Sequence, residues 1–326
     1  MVSKIIVLIG FQASTKSTFA NEILQNAPNI VILSKDAEKN KTSEYLIQLA
    51  EKHLTDGKVV IIDNTNLSIA ARKPYIDLAK RLHVKVIAQY FKSSIEDCQI
   101  RHLCRMYKLF GYIPQTGKLL NGQKDPHAFG LGALFAARKA LEEPTRNEGF
   151  DAVIVRPVPP VEWDPTTYHK KALFLDIDGT IRETEHLPHK YPTQVEEVQL
   201  IHPKEKMREK LDAYRAEGYT LIGVSNQSGI SKGNVTEEKV DEIFEKTRSE
   251  LGYTKEEFPI LYCPHPSMPG ACFCRKPQSG MVMDCVMKLG LDPRQCIMVG
   301  DRKTDQTMAE RLNITYYDVK DFWKVA

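Results

Sequence analysis

No apolar run in the 326-residue chain approaches the roughly 18 residues needed to cross a bilayer, so the sequence offers no membrane-spanning candidate. Cysteine is too sparse for a disulfide scaffold: there are seven in the whole chain, and an odd number excludes complete pairing. Internal repeats and low-complexity tracts are absent, which excludes solenoids and disordered arrays. Charge of one sign is missing overall, with a net value of +3. Its distribution is uneven, however. Residues 1–160 hold 22 Lys and Arg against 15 Asp and Glu, and the remainder holds 23 against 27. A basic half beside an acidic half points the first half towards a polyanion, although ordinary surface variation also produces such a split.

What is present describes a soluble α/β protein, with 42% hydrophobic and 27% charged residues over a length that accommodates two cores. The apolar runs Ile5–Ile9, Ile30–Leu33, Val59–Ile62 and Val84–Tyr90 alternate with helical patterns, which predicts a parallel sheet covered on both faces. Around residues 156–170 four closely spaced prolines rule out regular structure and mark a linker. The rhythm restarts at Ala172–Leu175 and recurs at Thr220–Val224 and Cys296–Val299. The expected organisation is a domain over 1–156, a linker over 157–170 and a second α/β domain over 171–326. The apolar start runs straight into the next motif and has no small-residue cleavage site, so it reads as a strand rather than a signal peptide. The expected compartment is the cytoplasm, or the nucleus in a eukaryote, and not the exterior.

The segment Gly10-Phe-Gln-Ala-Ser-Thr15-Lys16-Ser17 follows the first strand and nearly matches G-x-x-x-x-G-K-[ST]. In that pattern backbone N–H groups cradle phosphates, the lysine reaches the β/γ-phosphates and the hydroxyl holds Mg²⁺. The mismatch is Thr15, a β-branched residue where glycine permits close backbone approach. Strand ends further along supply Asp36 and Asp63-Asn64-Thr65-Asn66, at the edge where open α/β sheets bind ligands. Asp36 is placed either to accept a proton from an attacking hydroxyl or to cap a helix. Residues 101–124 carry Arg101, Arg105, Lys108, Lys118 and Lys124 with no acidic residue. Arg101 and Arg105 share a helical face and read as a lid over a transferring phosphoryl group, or as a solvated basic face. Tyr107, Phe110 and Tyr112, interleaved with them, are candidates for base stacking or for core.

This order of motifs, with Glu143-Pro-Thr-Arg-Asn-Glu-Gly149-Phe150 before a further strand, resembles the kinase domain of polynucleotide kinase-phosphatases over most of residues 1–156. The resemblance implies that Gly10, Thr15, Lys16, Ser17, Thr18 and Arg101 bind ATP with Mg²⁺, that Asp36 is the general base and that Arg105 acts on the phosphoryl group. Asp63 and Asn64 would face the acceptor. The sequence departs from the pattern at Thr15 and at Lys39, where an arginine would contact the acceptor phosphate.

In the second half, Leu173-Phe174-Leu175-Asp176-Ile177-Asp178-Gly179-Thr180 ends a strand in D-x-D-G-T, the first motif of haloacid dehalogenase-type phosphatases. The other motifs follow in order: Ser225-Asn226 ending a strand, Arg275-Lys276-Pro277, and Gly300-Asp301 with Asp305. A carboxylate nucleophile, Asp176, splits one displacement into two through an aspartyl-phosphate. Asp178 protonates the leaving group and then activates water. Mg²⁺ is expected on Asp176, Asp301 and the Asp178 main-chain carbonyl, with Ser225, Asn226, Arg275 and Lys276 holding phosphate or substrate. Between these motifs, Cys263-Pro-His265 and Cys272-Phe-Cys274 offer three thiolates and an imidazole, the ligand set of a closed structural zinc site, or else free buried cysteines. The loop resembles the zinc-bearing subgroup that includes histidinol-phosphate and heptose-bisphosphate phosphatases, over roughly residues 171–315.

A kinase and a phosphatase sharing one small substrate would cancel each other. On a broken strand they would act on different ends, one phosphorylating a 5′-hydroxyl and the other clearing a 3′-phosphate for a downstream ligase. End-healing of nucleic acid is therefore the expected function. The alternatives are a small-molecule phosphatase fused to a small-molecule kinase, and a nucleotide- or strand-binding module whose kinase loop Thr15 has silenced.

Overall fold

A computed structural model describes residues 3–25, 27, 29–38, 42–115, 128–267 and 272–324. Contacts divide the chain into two compact units. The first comprises the described residues of 1–102 and 124–161, the second those of 103–123 and 162–326.

The first unit follows the order β1 (Lys4–Ile9), α1 (Lys16–Gln25), β2 (Ile30–Leu33), α2 (Ser43–Thr55), β3 (Val59–Ile62), α3 (Ile69–Leu82), β4 (Lys85–Lys92), α4 (Ile95–Phe110), of which the residues up to 102 belong to this unit, α5 (Leu131–Ala140) and β5 (Ala152–Pro157). Its sheet is parallel throughout, in the order β2-β3-β1-β4-β5. The strands are short β-branched runs because both faces are covered. Ile5, Val7 and Ile9 of β1 face Leu46, Ala50 and Leu54 of α2 with Ile76 and Ala79 of α3, whereas Leu8 packs with Ala20 of α1 and Phe91. Thr42 and Ser68 cap α2 and α3 by accepting from the Tyr45 and Ala71 N–H groups.

The second unit contains β6 (Lys171–Leu175), α6 (Lys204–Ala216), β7 (Tyr219–Asn226), α7 (Ser228–Ser231), α8 (Glu237–Leu251), β8 (Ile260–Cys263), α9 (Gly280–Leu289), β9 (Ile297–Gly300), α10 (Lys303–Leu312), β10 (Thr315–Asp318) and α11 (Val319–Phe322). It is again a parallel sheet, ordered β10-β9-β6-β7-β8. Leu173, Leu175, Met207, Leu211, Phe244 and Trp323 share its core. Two parallel α/β sheets in series is the fold class that the sequence implies. One boundary differs. Residues 103–115, expected with the first domain, belong to the second unit, where the Ile113 N–H donates to Asp284 Oδ1 (2.9 Å) and the Phe273 N–H to the Gln115 carbonyl (2.9 Å). Among the described residues no helix is long and apolar enough to cross a membrane.

Candidate active sites

In the first unit the carboxyl ends of β2, β3 and β1 lie side by side, and cross-links hold their loops together. The Gly10 N–H donates to the Thr65 carbonyl (3.1 Å), Asn66 Nδ2 to the Leu8 carbonyl (2.7 Å), and the Lys35 N–H to Asn64 Oδ1 (3.0 Å). Gly10 adopts φ +149°, and a Cβ there would lie 2.9 Å from the Phe91 carbonyl oxygen. Two non-glycine residues of the same loop are left-handed, Ala13 at φ 59° and Thr15 at φ 65°. That backbone reversal brings α1 to begin at Lys16, with no acidic residue in its first turn. The unpaired N–H groups at a helix start favour an anion. Lys16 is buried, and its ammonium donates to the Gly10 carbonyl (3.0 Å), the Phe11 carbonyl and Ser14 Oγ (3.3 Å), while Ser17 and Thr18 are exposed beside it.

Asp36 sits exposed in the turn after β2, where Ser34 Oγ accepts from the Asp36 and Ala37 N–H groups (3.1 and 3.3 Å). It is not a helix cap, since α2 is capped by Thr42. Arg101 and Arg105 both lie on α4. Arg101 donates to Ser93 Oγ (3.1 Å) and to the Pro159 carbonyl, and Arg105 is half-buried one turn later. Tyr112 is exposed rather than core. Lys39, Lys118 and Lys124 lie outside the described residues.

In the second unit, the end of β7 and the segments that follow β6 and β9 line one cavity of about 750 Å³, with Asp176, Asp178, Ser225, Asn226, Lys276 and Asp305 among its walls. Gly179, at φ +88°, is required: a Cβ there would lie 2.4 Å from Asp301 Oδ2, so any side chain would push that carboxylate out. Oxygens of Asp176, Asp301 and Asp305 lie within 4.8 Å of one another, a hard-ligand cluster suited to a divalent cation. Lys276 threads into the same cluster, contacting Asp176 Oδ1, Asp305 Oδ1 (2.7 Å) and the Val224 carbonyl (2.7 Å). Burial pushes the Asp176 carboxyl up to about 6 against the pull of Lys276, and burial with the neighbouring Asp176 raises Asp301 to about 6. Burial also opposes the charge on Lys276, but Asp176 and Asp305 outweigh it and hold the ammonium above its ordinary value.

Beside this cavity, Cys263, His265, Cys272 and Cys274 place their ligand atoms within 4.8 Å of one another. Cys263 Sγ lies 3.7 Å from Cys272 Sγ and 3.4 Å from His265 Nδ1, which is 3.2 Å from Cys274 Sγ. Ligands about 2.3 Å from a tetrahedral ion stand about 3.8 Å apart, so the four atoms have metal-site spacing. Hydrogen bonds shared between the thiols push Cys272 down and Cys263 and Cys274 up, as expected of three thiols that cannot all ionise without a cation.

Two family profiles match the chain, one described as an AAA domain over residues 5–108 and one as HAD-hydrolase-like over residues 273–320. The chain is 36% identical over 154 residues to the D-glycero-beta-D-manno-heptose-1,7-bisphosphate 7-phosphatase of Haemophilus ducreyi, covering 80% of that protein and 44% of its own length. The chain belongs to this phosphatase family. The corresponding enzyme of Pasteurella multocida is 34% identical over 142 residues, with 73% of it and 42% of this chain covered. Over 98% of its length the chain is also similar to 96% of a chain in a structure titled Pnkp1/Rnl/Hen1 complex, at 16% identity and a TM-score of 0.34, too low to bear on function. The protein therefore joins an N-terminal P-loop domain to a C-terminal haloacid dehalogenase-like phosphatase.

In the phosphatase, the structure draws Asp176, Asp178, Ser225, Asn226, Arg275 and Lys276 around one cavity. Asn226 serves as a brace: its Nδ2 donates to the Lys276 carbonyl (3.1 Å) and its Oδ1 accepts from the Lys276 N–H (3.0 Å). Arg275 donates to the His265 carbonyl (3.2 Å), linking the cavity wall to the cysteine cluster. Sequence reasoning leaves three residues unassigned. Asp305, the second carboxylate of its motif, pairs with Lys276. Gln227 and Arg182 both hold Asp178. Gln227 Nε2 donates to Asp178 Oδ2 (2.8 Å) and Ser225 Oγ (2.8 Å), while Arg182 donates twice to Asp178 Oδ1, from Nε (3.1 Å) and Nη2 (2.6 Å). Its place two residues after Ser225 was the only signal for Gln227, and Arg182 had none.

Proposed function

We propose that the protein heals broken nucleic-acid ends, phosphorylating a 5′-hydroxyl in its first unit and removing a 3′-phosphate in its second. The observation that carries the reading is the presence, on one chain, of a phosphate cradle beside a strand-end carboxylate and of a phosphatase cavity rimmed by Lys190, Lys232, Arg275, Arg302 and Lys303. Such a rim suits a polyanion that continues past the phosphate being cleaved. Opposed activities on one chain make sense when they act on different ends.

In the phosphatase step, an Asp176 oxygen attacks phosphorus as the P–O bond to the leaving hydroxyl breaks. The leaving oxygen takes its proton from Asp178. Water then attacks the aspartyl-phosphate, gives a proton to Asp178 and releases inorganic phosphate. Asp176, Asp301 and the Asp178 main-chain carbonyl, with Asp305 beside them in the same cluster, would hold Mg²⁺, which neutralises phosphate charge when bound. In the kinase step the α1 start and Lys16 would hold the ATP phosphates, Ser17 would hold Mg²⁺, and Asp36 would take the acceptor proton. The cysteine–histidine cluster would hold a structural zinc. The strand ends produced are substrates for a ligase.

A second reading has an observation of its own: the named relatives act on heptose bisphosphate, and the 36% identity extends over most of one of them. One experiment separates the two. The protein is given labelled ATP with a 5′-hydroxyl oligonucleotide, a 3′-phosphate oligonucleotide with Mg²⁺, and a heptose bisphosphate. End-healing predicts transfer to the first and phosphate release from the second at rates at least tenfold above release from the sugar. The reverse order would replace this reading with the sugar phosphatase. Elemental analysis should find about one zinc per chain.

A further inference from the structure

Arg182 is 1% exposed and does not line the cavity, yet it makes two of its hydrogen bonds to the residue that delivers the proton. An arginine that serves only to neutralise a carboxylate favours a fork across both oxygens. Here Nε and Nη2 both grip Oδ1 of Asp178, and Oδ2 is left to Gln227 and the side of Ser225, which is 3.5 Å away. The remaining arm of the guanidinium is anchored too. Nη1 donates to Thr247 Oγ1 (3.2 Å), whose own hydroxyl donates to the Ile243 carbonyl on α8 (2.8 Å), and the plane lies 5.1 Å from the Phe244 ring. The turn is closed around it by the Arg182 N–H to the Ile177 carbonyl and the Gly179 N–H to the Arg182 carbonyl, each 2.9 Å.

A buried ion pair is weak support for stability on its own, because desolvation offsets its attraction. A rotamer locked from two sides is what such a pair provides. We propose that Arg182 is a positioning residue of the phosphatase: with Gln227 it clamps Asp178 so that Oδ2 alone is presented to the leaving oxygen. Helix α8, through Thr247, sets where that clamp stands. The inference rests on Asp178 being the proton donor.

The test compares two small phosphate esters in the full chain with Mg²⁺, so it does not depend on which strand is the natural substrate. Glycerol 2-phosphate needs its leaving alkoxide protonated; p-nitrophenyl phosphate does not. General acid catalysis contributes about 10²–10⁴-fold where it is required. Arg182→Met should lower kcat/KM on glycerol 2-phosphate by about 10²-fold and on p-nitrophenyl phosphate by less than about threefold. Arg182→Lys should give the same split, because an ammonium cannot reproduce the planar grip. Thr247→Val, which keeps the arginine but frees its anchor, should give the split at roughly tenfold, and it decides the matter if Arg182→Met does not fold. Asp178→Asn is run in parallel. If it shows no split, Asp178 is not the proton donor and the clamp falls with it. If it shows the split while the Arg182 and Thr247 variants lose both substrates equally, or neither, the clamp alone is overturned.

Discussion

The two candidate sites are built in opposite ways. In the phosphatase two buried carboxylates are held by other side chains: Lys276, a hundred residues on, holds Asp176, while Arg182 from the same turn and Gln227 from the end of β7 hold Asp178. In the P-loop domain the loop before α1 is shaped by left-handed residues around the buried Lys16, and the neighbouring Ser17, Thr18 and Asp36 side chains are exposed. One site stores its precision in paired charges and the other in dihedral angles. The first should therefore respond most to loss of a charge, and the second to a change of backbone freedom.

The largest expected effect comes from removing one reacting group in each site. Asp176→Asn should lower 3′-phosphate release more than about 10³-fold while leaving ATP-dependent labelling within about twofold. Lys16→Ala should do the converse, since it removes the charge nearest the transferring phosphate. Equal loss of both activities in a folded variant would show that the sites are not independent.

A smaller effect separates the sites by pH. Asp176 and Asp301 have carboxyls raised to about 6 from an ordinary 3.8, so in metal-free protein they hold protons more tightly when folded. Their contribution to stability is present below about pH 4 and is lost as pH rises through 6. A bound divalent cation compensates where both are ionised. Magnesium should accordingly raise the melting temperature more at pH 7.5 than at pH 5, with the shift confined to the phosphatase transition. A shift of the same size at both values would contradict the assignment of these carboxylates.

The smallest effect concerns Thr15. A left-handed L-residue costs about 1–2 kcal/mol, and β-branching adds to the crowding. Thr15→Gly relieves this but loosens the unfolded chain, so the net change should lie between zero and about 1 kcal/mol of stabilisation. Thermal or urea unfolding of the first unit measures it. Destabilisation beyond about 1 kcal/mol would mean that the hydroxyl or methyl of Thr15 is used in the fold.

The comparison also explains which parts were legible in the sequence. Asp176, Asp178, Lys276 and Asp301 stood out because each lies directly after a strand or in a short fixed motif, where covalent order alone dictates placement. The continuous apolar runs of strands β1, β3, β4 and β7 were readable for the same local reason. Arg182 was not, because nothing in a linear string indicates that a cation four residues after Asp178 turns back onto it through a closed turn. Asn226 reads as a substrate ligand from its strand-end position, yet both ends of its amide are taken by Lys276, fifty residues away. Asn64 is similar, its oxygen holding Lys35. The grouping of residues 103–115 with the second unit depends on Asp284 and Phe273, contacts that no local pattern announces. Strand β10, with only four residues and alternate positions exposed, lacks the apolar run that marks its neighbours.

The reciprocal amide pairing between Asn226 and Lys276 has a consequence for how the protein is made. Asp176 emerges from the ribosome a hundred residues before the lysine that grips it, and Asp305 follows later still. A growing chain stopped anywhere before residue 305 thus carries Asp176 without its finished surroundings. If the proposed phosphatase step needs Lys276 and Asp305 around Asp176, ester turnover should report synthesis through residue 305 and not merely the presence of the first motif.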